Sequence, residues 1–201
     1  MLNFVTIGEL AMKLKGLMTL VLALALAGCD AWTAKAQLLP TSARDSIGLA
    51  GQYSSAKSEL RVTPLGNRRY AMSLRQGDNT RTTTASFDLL RTDPIGSAQD
   101  GDSYTKYYLV EYERKNDNGE VSYAYDVVST EYSDEYPDPQ LGHYSVICSE
   151  AAARLAASSE SACEFSSYRA VRAAALDMLG WLDEARAEVK LESFYRPSDD
   201  S

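Results

Sequence analysis

Between Ile47 and Ile147 the apolar residues recur mostly at every second position, the period of a strand with one buried face. Leu60 and Val62 alternate with polar neighbours. Tyr70, Met72 and Leu74 resume that alternation after the turn signal Pro64-Leu65-Gly66-Asn67. A threonine-rich stretch over 80–90 ends in Phe87, Leu89 and Leu90, and Thr92-Asp93-Pro94-Ile95-Gly96 with Asp100-Gly101-Asp102 breaks the pattern. Residues 104–114 then place Tyr108, Val110 and Tyr112 on one face, and residues 120–130 place Val121, Tyr123, Tyr125 and Val127 on one face. Asn116-Asp117-Asn118-Gly119 joins these two runs with residue types that tolerate positive φ, so the pair reads as a hairpin. Residues 131–142, with Pro137, Pro139 and Gly142, read as an acidic loop, and His143–Ile147 as one more short strand.

Beyond that point the period changes. Ala151–Ala157 is a short helical candidate. Val171, Ala175, Met178, Leu179 and Leu182 fall at helical spacing within 167–184, with Ser166 or Ser167 as the cap and Gly180 as a weak point. Val189, Leu191 and Tyr195 have the even spacing of a strand, with a continued helix as the alternative. These elements predict a mainly β, α+β domain: an antiparallel meander of six to eight strands, curved or closed into a small barrel, with a packed helix near its C-terminus. Closure or covering is required, because bare sheet edges recruit other chains.

The first 28 residues have a different pattern. Lys13 and Lys15 precede the apolar run Leu17 to Ala27, which is the length of a signal-peptide core and short for a membrane span. The run ends in Leu26-Ala27-Gly28-Cys29, which resembles the lipobox of bacterial lipoproteins. That resemblance implies a diacylglyceryl group on the Cys29 sulfur, cleavage before Cys29 and acylation of the new amino terminus. Asp30 resembles the inner-membrane retention signal of enterobacterial lipoproteins, so the expected location is the periplasmic side of the inner membrane, with the outer membrane as the alternative. Met12 is a natural alternative start to Met1. The expected organisation is a signal peptide over 1–28, a lipidated tether over 29–46, a globular domain over 47–197 and an acidic tail over 198–201. As a whole the domain resembles the small, uncharacterised lipoproteins of Gram-negative envelopes.

Charge and cysteine count narrow the function classes. The chain carries 20 Lys and Arg against 28 Asp and Glu. From Cys29 onward the side chains sum to about −9, a surface repelled by nucleic acid and by anionic headgroups. Lipid rather than charge is therefore expected to hold the protein on its membrane, and nucleic acid is not an expected partner. Of the three cysteines, Cys29 is the lipid site. Cys148 and Cys163 remain as a pair, expected to form a disulfide in an oxidising compartment.

Catalytic chemistry finds little support. The chain has one histidine, His143, and no G-x-S-x-G elbow. Gly101-Asp102-Ser103 slightly resembles the nucleophile block of GDSL hydrolases, but Tyr104 stands in place of its leucine and no Asp-x-x-His partner follows. One histidine and two paired cysteines leave no zinc set, Asp134, Glu135 and Asp138 lack the EF-hand pattern, and no pair among the acids stands out for glycosidase work. No cofactor is expected.

The outlying feature is tyrosine. Nine of 13 lie between Tyr104 and Tyr144. Tyrosine suits strands and is also enriched where proteins grip partners. Tyr107, Tyr108, Tyr112, Tyr123 and Tyr125 are thus the candidate contact residues, with the acidic loop 131–138 as a rim. Two readings of the tyrosines compete: a sheet whose core edge they line, or a recognition face. The expected function is a non-catalytic binding module on a membrane, gripping an envelope protein or a small ligand in a barrel mouth. A structural role in envelope assembly and an unrecognised hydrolase are the alternatives.

Overall fold

The computed structural model describes residues 31–95, 103–116, 118–133, 136–159, 163–183 and 191–196. The signal segment with Cys29, and the tail over 198–201, lie outside them. In chain order the elements are β1 (Trp32–Ala34), a 3-10 turn (Thr41–Ala43), β2 (Gly51–Ser54), β3 (Glu59–Gly66), β4 (Arg69–Gln76), β5 (Asn79–Pro94), β6 (Tyr104–Lys115), β7 (Val121–Ser133), β8 (Tyr136–Tyr144), α1 (Glu150–Leu155), β9 (Cys163–Glu164), α2 (Tyr168–Asp183) and β10 (Leu191–Phe194).

The protein is mainly β, as the alternation predicts. Eight strands form one antiparallel path in the order β10-β8-β7-β6-β5-β4-β3-β2; beside it the short β1 pairs antiparallel with β7, and β9 pairs in parallel with β1. Leu191–Phe194 is thereby a strand, not a continuation of α2. The sheet is not closed by a ladder. Its two edges meet at a single bridge, where Ser54 and Tyr195 exchange backbone hydrogen bonds of 2.7 and 2.8 Å. Ser55 Oγ donates to Glu192 at 2.8 Å, and Arg196 reaches the Ala50 carbonyl at 2.9 Å. Gly51 sits in this seam at φ 146°, where a Cβ would lie 2.9 Å from the Arg196 guanidinium.

Both faces of the central strands are covered, and this produces two cores. The inner core takes residues from all eight path strands, among them Tyr53, Leu60, Met72, Phe87, Val110, Val128, Leu141 and Phe194, with Ile47 and Leu49 added from the chain before β2. The outer core lies on the opposite face of β6 and β7. There Leu109, Tyr125 and Val127 pack under Trp32 of β1, Cys163 and Phe165, and the α2 stripe Val171, Ala174, Ala175, Met178 and Leu179. That stripe follows the helical spacing, and Ser167 caps it by accepting from the Ala170 N–H. Asp88 on β5 ties the helix down, accepting from Tyr168 Oη at 2.8 Å and Arg172 Nε at 3.0 Å. At the other end of α2, Arg91 forms a two-pronged pair with Asp183 at 2.7 and 2.8 Å.

Three expectations need correction. Residues 31–46 are not a free tether. Trp32, Ala34 and Leu39 are buried, β1 pairs with β7, and the Leu38 and Leu39 N–H groups both donate to the Glu111 carboxylate at 2.8 Å. Residues 131–142 are not a loop, since β7 runs to Ser133 and β8 starts at Tyr136. β8 tolerates Pro137 and Pro139 because β10 pairs only with Leu141–Tyr144, so those two positions owe no N–H to a second neighbour. The β3–β4 hairpin turns at Asn67-Arg68, whose φ values of 51° and 55° suit a tight two-residue turn. Pro64 instead lies within β3, beside a bulge before Gly66.

Candidate recognition site

The five tyrosines singled out by the sequence do not share a surface. Their positions follow from the two-sided packing of β6 and β7. Tyr108 points into the inner core and is 3 % exposed; burial and neighbouring phenols push its pKa to about 12. Tyr125 points into the outer core and is 1 % exposed. Its hydroxyl donates to Glu111 at 2.8 Å, and burial, with the Glu111 charge second, holds it firmly protonated. These two rings are core, so they cannot be contact residues. Tyr112 is partly buried against the inner core, with its pKa raised by burial and the charge of Asp126. Tyr107 and Tyr123 are partly buried against the outer core, and Tyr107 also receives the Arg91 guanidinium 5.1 Å from its ring centroid.

A second ring cluster, also partly exposed, is one the sequence reading missed. Tyr104 and Tyr132 lie opposite each other in the β6–β7 register, with centroids 5.0 Å apart at a tilt of 31°. The Lys106 ammonium sits 4.8 Å from the Tyr104 centroid and 5.8 Å from that of Tyr132. Tyr132 Oη donates to the Ile47 carbonyl at 3.3 Å, which fixes the ring against the segment that enters the inner core. Tyr104, Lys106 and Tyr132 are each partly exposed. Two phenol faces under an ammonium form a platform suited to gripping planar or ring-shaped groups, each cation–π contact contributing about 0.5–1 kcal/mol at such a site. The signal was available: both tyrosines end long strands, at positions that register would pair.

The single histidine has a different occupation. His143 Nε2 on β8 donates to Asp126 Oδ2 on β7 at 3.1 Å, a diagonal cross-strand ion pair. Burial by itself would lower the imidazole pKa. The hydrogen bond to Asp126 and the charges of Asp126 and Glu192 outweigh it, so the pKa lies above 6.5. Asp88 is moved the same way, upward, because its burial outweighs the help of Tyr168 and Arg172. Among the described residues no group of three or more His, Cys, Asp or Glu could hold a metal ion. Asp134, Glu135 and the side chain of Asp138 fall outside the description.

Cys148 and Cys163 are bonded, with Cα atoms 5.3 Å apart, and the disulfide fastens β9 to the end of the chain leaving β8. The inner core is filled by side chains, Tyr53, Phe87 and Val110 at 0 % exposure, rather than shaped as a ligand cavity. A shallow polar groove of about 410 Å³ runs on the outside of β3 and β4, between Arg61 and the ion-paired Arg75 and Glu59. Among the described residues no helix is long and apolar enough to cross a membrane. No family model, curated protein or solved structure matches the chain.

Proposed function

We propose that the chain is a bacterial envelope lipoprotein, anchored through lipid on Cys29, whose folded domain is a non-catalytic binding module. One observation carries the anchor. Cys148 and Cys163 occupy each other, so the remaining cysteine is the one that follows the positive segment, the apolar run and Leu26-Ala27-Gly28. Two or three acyl chains on one residue hold firmly, whereas one alone binds marginally. Asp30 favours the inner membrane, with the domain facing the periplasm. The binding reading rests on the Tyr104–Lys106–Tyr132 platform, with an envelope protein as the partner.

Native mass spectrometry of the protein extracted from its own membranes tests both halves. The expected spectrum carries the acyl mass on Cys29 and a discrete partner mass, and the partner mass disappears in Tyr104→Ala/Tyr132→Ala. A Cys29→Ala chain is expected to carry no acyl mass and to keep its signal segment uncleaved. A bare lipidated monomer would remove stable binding, and a wild-type Cys29 without lipid would remove the anchor.

A further inference from the structure

β1 starts three positions after Cys29. Three residues span at most about 11 Å. The start of β1 is firmly held: Trp32 is 1 % exposed, its indole N–H donates to the Ile147 carbonyl at 2.8 Å, and Cys163 N–H donates to the Ala31 carbonyl at 3.1 Å. Acyl chains on Cys29 would therefore hold this corner of the domain at the headgroups, with no linker to swing on.

The composition of that corner suits such a position. Ile147, whose carbonyl takes the Trp32 indole, is 43 % exposed. Leu155, at the end of α1 inside the disulfide loop, is 40 % exposed. The chain after α1 returns to β1's neighbour, with Ala157 N–H donating to the Glu164 carbonyl at 2.7 Å. The corner is also electrically balanced in a chain of net charge −8: Glu164 pairs with Lys35 at 3.2 Å, and Glu150 pairs with Arg154.

We propose that this corner is a membrane-contacting surface, with Ile147 and Leu155 seated in the lipid interface and Lys35 and Arg154 level with the phosphates. The inference rests on the lipid-anchor reading of Cys29. It adds a fixed orientation: the domain lies directly on the bilayer through its disulfide loop. Lipid is the occupant the chain geometry selects, because the anchor leaves too little length for another molecule to intervene. Small apolar groups with balanced charges avoid the repulsion that the acidic remainder would meet at anionic headgroups.

The test uses the lipidated full-length protein in phosphatidylethanolamine–phosphatidylglycerol vesicles. An environment-sensitive fluorophore is placed at Leu155→Cys or, as reference, at Leu65→Cys, a 55 % exposed position in the β3–β4 hairpin. Brominated acyl chains are expected to quench the label at 155 by about twofold or more, the depth of an interfacial residue, and to leave the label at 65 unchanged. Equal, weak quenching at both positions, with the acyl mass present on Cys29, would overturn the orientation and leave the anchor standing. An absent acyl mass on Cys29 would overturn the anchor and the orientation together.

Discussion

The inner and outer cores lie back to back on the same strands and are built in opposite ways. The inner core is fed by consecutive hairpins from β2 to β8, so most of its contacts join near neighbours in the chain. The outer core joins residues 32–34, 109–127, 146–165 and 171–179, which only the finished fold brings together. Its margins hold charge as well as oil. Glu111, 2 % exposed, accepts from Gln37 Nε2 at 2.9 Å, from the Leu38 and Leu39 N–H groups and from Tyr125 Oη. A meander buries one of its faces by curling. The second face waits for the two ends of the chain, and the polar latches decide where those ends sit.

The sharpest way to break this contrast is Glu111→Ala. It leaves two backbone donors and the Tyr125 hydroxyl buried without an acceptor, each costing about 1–3 kcal/mol, so the expected loss in urea unfolding is about 3–5 kcal/mol. A loss under about 1 kcal/mol would mean that the 31–39 strap is peripheral. Next comes Cys148→Ser/Cys163→Ser. Releasing a loop of 15 residues should cost about 3 kcal/mol, and should loosen α1 and β9 before the hairpins, as read by residue-resolved hydrogen exchange.

The smallest effect belongs to the inner core's rim. The folded His143 binds its proton more tightly than the unfolded chain does, so its pair with Asp126 stabilises fully below about pH 6.5 and that stabilisation is lost as pH rises through the raised folded pKa. With both side chains partly open to solvent, His143→Gln should cost about 0.5–1 kcal/mol at pH 5.5 and less at pH 9. A cost that grows with pH would reverse the assignment.

The contrast also explains what the sequence made legible. Tyr108, Val110 and Tyr112 alternate as an inner-core strand should, Asn116 to Gly119 supplies the turn, and Val171 to Leu179 carries the helical stripe. These are local signals. β1 is three residues long and its strand partners are 89 and more positions away, so no period could announce it. β8 was hidden by Pro137 and Pro139, which matter only on the side where β10 is absent. For the tyrosines, alternation assigns rings to faces but cannot say that both faces are covered. That is why Tyr108 and Tyr125 are core, while the partly exposed pair, Tyr104 and Tyr132, is brought together only by the strand register.

The segment from Trp32 to Leu39, which begins three positions after Cys29, is part of the fold. Hydrogen exchange at the Leu38 and Leu39 amides of the native protein measures it most directly. The account predicts protection close to that of the β6 amides around Val110, lost together with them only on global unfolding. Exchange at the rate of a free chain, with β6 still protected, would contradict it.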